Sequence, residues 1–98
     1  MERKIVWNKG PIKYLNQALK HISEESYLQA ERFEEAIFST LEELKRHPEK
    51  YPPDKFKLHN TGDFRAFEIH SYRIAYRLTD KEVRILRIRH VKQEPKRY

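Results

Sequence analysis

The stretch "FRAFEIHSYRIAYRLTDKEVRILRIRH", residues 64 to 90, decides the fold. Its apolar residues alternate, whereas those upstream recur every three or four positions, so a helical region gives way to strands. The strands read as 64–69, 72–78 and 82–90, and the separators "HS" and "TDK" are short enough for tight antiparallel turns. In the middle strand Tyr72, Ile74, Tyr76 and Leu78 lie on one face, with Arg73, Ala75 and Arg77 on the other. In the last strand the alternation slips. Val83 and Ile85 share one parity, Leu86 and Ile88 the other, which predicts a bulge near Ile85–Leu86.

Upstream, "RKIVW" at 3–7 is β-prone and predicts a first strand. "NKGP" supplies turn chemistry, with Pro11 placed for a helix's first turn, where its missing N–H costs nothing. Ile12, Leu15, Leu19 and Ile22 follow at helical spacing. Ser23 reads as the N-cap of a second helix, with Glu24 and Glu25 favouring its dipole. Tyr27, Ala30, Phe33, Ile37, Leu41 and Leu44 then form one apolar stripe, and Pro48 marks the end. The segment "HPEKYPPDKFKLHNTGD" is rich in proline and reads as a loop running out to Gly62. The order β-α-α-β-β-β predicts an α+β fold, a helical hairpin packed on one face of a small, mostly antiparallel four-stranded sheet. The other face is expected to be at least partly open.

At 98 residues the chain makes one domain, 1–98, the natural expectation. Aromatic residues at 12% argue against disorder, which is poor in them. The absence of cysteine excludes disulfides and thiolate chemistry. No apolar run approaches the ~20 residues needed to span a bilayer, and "MERKIVWNKG" turns polar too soon for a signal peptide. A cytoplasmic protein without membrane contact is expected. The net charge of +6 is unevenly placed: residues 1–50 hold nine basic and nine acidic side chains, residues 51–98 twelve against six. Such asymmetry suits a polyanion or an acidic protein partner, with solubility alone as the plainer reading.

If Arg73 and Arg77 point away from the helices, then Arg65 or Arg87 and Arg89 extend them into a basic patch. Lys55, Lys57 and His59 arrive from the loop, and Lys92, Lys96, Arg97 and Tyr98 from the tail. Guanidinium groups fork onto phosphate oxygens and nearby aromatic rings stack on unpaired bases, so one reading is a nucleic-acid platform. The other is a solvated face with cross-strand Arg–Glu pairs. Of the five histidines, His21, His47 and His70 read as structural and His59 carries a weak signal. His90 ends a strand beside Arg89, and histidine titrates near neutrality, which suits proton transfer. No His, Asp and Glu spacing matches a metal-ligand set, and no cofactor is expected.

The segments "QAERFEEAIFSTLEELKRHPEKY", "YRIAYRLTD" and "VRILRIRHVKQEPKRY" resemble the RelE/ParE superfamily of bacterial toxins from type II toxin–antitoxin, or plasmid stabilisation, modules. The resemblance covers nearly the whole chain and its β-α-α-β-β-β order. It implies two possible activities. RelE-like members cleave messenger RNA, usually in the ribosomal A site and without a metal, whereas ParE-like members inhibit DNA gyrase without a catalytic site.

Carried over by position, Arg73 in "YRIAY" fits the arginine that RNase members place at the scissile phosphate. His90 fits a strand-end histidine used for proton transfer. Asp54 lies near where those members carry a glutamate base, and Arg65 fits a second-strand cation. Lys92 and Tyr98 have the spacing of a cation and tyrosine in other RNase members, with Lys55, Lys57, Arg77 and Arg89 as further RNA contacts. The lysine usually found two residues after the second-strand cation is here Phe67, and no RNase subgroup's full set is present. The long helix hairpin closed by "HP" is ParE-like. The resulting expectation is a metal-independent mRNA endoribonuclease acting with the ribosome; the alternatives are a gyrase inhibitor and a non-toxic relic that only binds its antitoxin. A cognate antitoxin with an acidic, partly disordered segment is implied, docking at the sheet edge and apolar helix surfaces.

Overall fold

The computed structural model describes residues 2–93 and 96–98; Met1, Glu94 and Pro95, part of the expected 1–98 domain and its tail, lie outside the described residues. Six elements follow in the expected order: β1 (Lys4–Trp7), α1 (Lys9–Glu25), α2 (Tyr27–Leu44), β2 (Phe64–Ile69), β3 (Tyr72–Leu78) and β4 (Glu82–His90). Two helices pack on a mixed four-stranded sheet of order β1-β4-β3-β2. β1 runs parallel to β4, and the other pairs are antiparallel.

The break between the helices falls at Ser26 rather than Ser23. Ser26 has extended backbone (φ −160°, ψ 115°), and its hydroxyl accepts the Gln29 N–H at 3.2 Å. Ser23 stays inside α1, with its hydroxyl turned back onto the Lys20 carbonyl at 2.8 Å. The later break keeps Ile22 helical, so that it joins Leu15 and Ala18 against the core. Glu24 and Glu25 therefore close α1 instead of opening α2. Two residues of the expected stripes also fall outside the core: Tyr27, the first residue of α2, is 83% exposed and Ile12 45%. Position on the sequence stripe is not enough at a helix end, where the neighbouring turn that would cover the side chain is missing. α2 ends at Leu44, and Arg46 and His47 donate to Glu43 in a closing turn that reaches Pro48.

The three carboxy-terminal strands have the expected bounds, and the expected bulge is present. Tyr76 pairs with Ile85 while Ala75 pairs with Arg87, so Leu86 is the extra residue. The bulge resets the parity of β4. Val83 and Ile85 before it and Ile88 after it all reach the helix side, where each is buried. That side of the sheet is completed by Phe67, Tyr72, Ile74 and Tyr76 and meets Phe33, Ile37, Leu41 and Leu44 of α2. The Tyr76 hydroxyl, at the centre of this core, donates to the Pro48 carbonyl at 3.0 Å.

The other side of the sheet is less open than its sequence predicts. Ala66 and Ala75, directly paired, are only 4% and 5% exposed although they face away from the helices. Two segments lie over that side. One is the proline-rich loop, bridged to β2 through Pro53 and Arg65. The other is the end of the tail, which hydrogen-bonds to the loop at residues 56 and 58.

Candidate functional site: the arginine face

The registers decide which cations share a face, because directly paired residues project to the same side of a sheet. Arg73 pairs with Glu68 and Arg89; Arg77 pairs with Phe64 and Arg84; Ala75 pairs with Arg87. All of these lie opposite the helices. Arg65 pairs with core residue Tyr76, and His90 pairs with core residue Tyr72, so both belong to the helix side. The basic patch is therefore extended by Arg87 and Arg89, not by Arg65.

Asp54 is the centre of this face. The loop carries it there by three devices. Its N–H donates to the Phe64 carbonyl at 2.8 Å. Asn60 Nδ2 clamps the Asp54 and Phe64 carbonyls at 3.2 and 2.7 Å. The turn closes at Gly62, whose φ of +105° disfavours any residue with a side chain. The carboxylate, on a residue only 3% exposed, accepts from Arg73 Nη2 at 2.8 Å, Phe56 N–H at 3.1 Å and the Tyr98 hydroxyl at 2.6 Å. Burial alone raises its pKa, but the hydrogen bonds from Tyr98, Arg73 and Phe56 outweigh that and hold it below the ordinary aspartate value. Tyr98 moves the opposite way: burial, then the adjacent carboxylate, push its hydroxyl well above the ordinary value. Asp54 is thus an ionised acceptor and Tyr98 a committed donor.

Around this pair, cations and aromatic rings alternate. The Arg73 and Arg89 guanidinium groups lie 4.9 and 5.0 Å from the Phe56 ring centre. Arg87 lies 4.7 Å from the Tyr98 ring, Arg77 lies 5.0 Å from Phe64, and Lys57 contacts both of those rings. Arg73 also holds Glu68 at 3.0 Å, and Arg77 holds Asp63 at 3.1 Å. Arg87 and Arg89 donate instead to main-chain oxygens of Lys96 and Gln93, each at 3.0 Å. Lys55 sits 5.2 Å from the Phe56 ring. Phe56 and Phe64, unassigned by the sequence reading, organise the face. Their signal was present: Phe56 is flanked by two lysines in "DKFKL", and Phe64 opens β2.

His90 is engaged elsewhere. Its Nδ1 accepts the Lys92 N–H at 3.1 Å, and its ring meets Tyr72 edge-on at 5.1 Å. Its own N–H is shared by the Tyr14 hydroxyl and Gln93 Oε1, so it fastens the end of β4 to α1. With His21 and His70 it lines a cleft of about 270 Å³ over Phe33 and Tyr72. Arg65 is likewise committed, donating to Gly62 and Tyr51 carbonyls at 2.9 and 2.7 Å. Lys92 is exposed in the turn after β4. The structure therefore brings together Asp54, Arg73, Arg77, Arg89, Lys55, Lys57 and Tyr98, and separates them from His90 and Arg65. Among the described residues no cluster of three or more His, Asp or Glu side chains is arranged for a metal ion, and no helix is long and apolar enough to cross a membrane.

The same chain matches a family model, "ParE toxin of type II toxin-antitoxin system, parDE", over residues 5–95. The chain belongs to this family. No curated protein matches it. The matched span runs from β1 into the tail, so it includes the sheet, both helices and all of the arginine face except its last residues. This is a toxin of a type II toxin–antitoxin system, with a cognate antitoxin as partner.

Proposed function

We propose that this toxin acts by binding rather than by chemistry, docking its arginine face on DNA gyrase in the manner of ParE-like members of its superfamily. The observation that carries this reading is the division of the RNase-type residues between the two sides of the sheet. Cleavage of RNA through its 2′-hydroxyl needs a base, a cation at the phosphate and an acid within reach of one another. Arg73 lies on one side of the sheet and His90 on the other. Asp54, the expected base, has both carboxylate oxygens occupied and a depressed pKa, which makes it a poor proton acceptor. What the face does offer is a set of fixed cations and rings suited to an acidic surface.

The test pairs two assays on purified toxin, DNA supercoiling by gyrase and cleavage of mRNA with and without ribosomes. The wild type and His90→Ala should inhibit supercoiling alike, whereas replacing Arg87 and Arg89 together with Gln should weaken inhibition at least tenfold, as expected when charged contacts are lost from an interface. Cleavage of mRNA by the wild type, abolished in His90→Ala, is the result that would restore the endoribonuclease reading and sink this one.

A further inference from the structure

We infer that residues 96–98 form a latch over the arginine face, with the Tyr98–Asp54 hydrogen bond as its catch. This rests on the reading that the arginine face meets the target, and it adds how access to that face is controlled. The latch is a piece of polypeptide lying in the groove. Tyr98 N–H donates to the Phe56 carbonyl at 3.0 Å, and the Leu58 N–H donates to Tyr98 O at 2.6 Å. The Tyr98 ring stands edge-on to Phe64 at 6.1 Å and beneath the Arg87 guanidinium. Its hydroxyl reaches the buried Asp54 carboxylate at 2.6 Å.

Two of the arginines around the latch, Arg87 and Arg89, are held by second-choice partners. Arg87 spends a donor on the Lys96 carbonyl, and Arg89 spends one on the carbonyl of Gln93. These are neutral acceptors, and a guanidinium bond to an anionic oxygen is about twice as strong. Among the described residues, the buried Arg73 Nε has no hydrogen-bond partner. Such an orphaned donor is uncommon in a native fold and marks a site short of an acceptor. A carboxylate-bearing segment of a partner protein would satisfy these donors better than the tail does, and the positive excess in residues 51–98 would draw it in. The groove already accepts main-chain hydrogen bonds from a peptide, which favours an acidic polypeptide over a nucleic acid as the competitor. While the latch is closed, apparent affinity falls in proportion to the open fraction.

Tyr98→Phe removes the catch and keeps the ring; deletion of residues 96–98 removes the latch. Three measurements on each follow the idea: deuterium exchange at the Leu58 amide, affinity for a poly-glutamate peptide, and gyrase inhibition. Exchange should quicken, and poly-glutamate should bind about tenfold more tightly, the scale of one lost hydrogen bond to a charged group. Quicker exchange with unchanged or weaker poly-glutamate binding overturns the latch, as does unchanged exchange in both variants. Tighter binding of oligo-dT without tighter poly-glutamate binding overturns the choice of an acidic protein segment. A gain in poly-glutamate affinity with gyrase untouched by wild type and variants defeats the proposed target while leaving the latch standing.

Discussion

The two sides of the sheet use the same strands but are held by different forces. Under the helices, Phe33, Ile37, Leu44, Ile74, Tyr76, Val83 and Ile85 are essentially inaccessible, and the only buried hydroxyl among them, on Tyr76, is satisfied by Pro48. Away from the helices, the covering layer is made of guanidinium groups, aromatic rings and one buried carboxylate. The first side is mainly a matter of apolar volume, less sensitive to pH and salt. The second depends on charge and hydrogen bonds, so it responds to both. A surface that must meet a partner gains from that difference, because its contacts can be exchanged without opening the core.

The contrast breaks most visibly at Phe33, which is 1% exposed and lies 4.9 Å from the Tyr72 ring. Phe33→Ala should cost about 3–5 kcal/mol by lost burial plus the cavity left behind. Urea denaturation would measure it, and a loss under about 1 kcal/mol would show that the helix side is not the closely packed one.

Asp54 is the counterpart on the arginine face. Asp54→Ala leaves Tyr98 without an acceptor and Arg73 with Glu68 alone, at a cost of about 2–4 kcal/mol, low for a broken buried pair because one partner remains. The same group sets an acid limit. Its folded pKa lies below the ordinary 3.8, so its stabilisation is complete above that value and is lost as pH falls through the folded one. Thermal unfolding followed downward from about pH 5 should fall more steeply in the wild type than in Asp54→Asn. Parallel curves would mean that the ionisation of Asp54 contributes no pH-dependent stability.

Much of this was legible in the sequence because strands announce themselves by parity. The alternation in "YRIAYRL" gave both faces of β3, and the slip at Ile85–Leu86 gave the bulge. The helix break was misplaced because Ser23 and Ser26 are equally good caps locally, and only the need to bury Ile22 separates them. The site was half legible. Arg73 and Arg77 follow from parity, Arg87 and Arg89 are one of two alternatives it leaves open, and Asp54 enters only through the family resemblance. The separation of Arg65 and His90 does not follow from parity, since which strand positions face each other depends on register, and register is a property of the pair rather than of either strand. Nor does the closing of Tyr98 onto Asp54, a contact between residues 44 positions apart.

A smaller effect sharpens the comparison between arginines. Arg65 looks like Arg77 in sequence, but its donors fasten the loop carbonyls of Tyr51 and Gly62, whereas Arg77 is half exposed beside Asp63. Arg65→Met should destabilise by about 1–2 kcal/mol through its three lost hydrogen bonds to loop carbonyls, one of them long. Arg77→Met should stay within about 0.5 kcal/mol, as surface pairs do. Chemical denaturation of the two variants side by side decides it, and equal losses would remove the distinction between a structural and a displayed arginine.

The smallest effect concerns the turn that joins β2 to β3 at the helix side's edge. His70 and Ser71 both have positive φ, 50° and 71°, the pattern of a two-residue hairpin turn that Asn-Gly fills with least strain. His70 has a reason to be there, since its ring meets Phe33 edge-on at 5.9 Å. Ser71 is held through its carbonyl, which accepts the Val91 N–H at 2.8 Å and would do so whatever the side chain. Left-handed backbone costs a residue with a Cβ roughly 1–2 kcal/mol, and glycine escapes that while losing more chain entropy on folding. Ser71→Gly should therefore stabilise by about 0.5–1 kcal/mol, and His70→Gly should gain less because the Phe33 contact goes with the ring. Thermal melts of both variants give the order. If His70→Gly proves the more stable of the two, the ring on Phe33 contributes nothing, and the helix side ends at Tyr72.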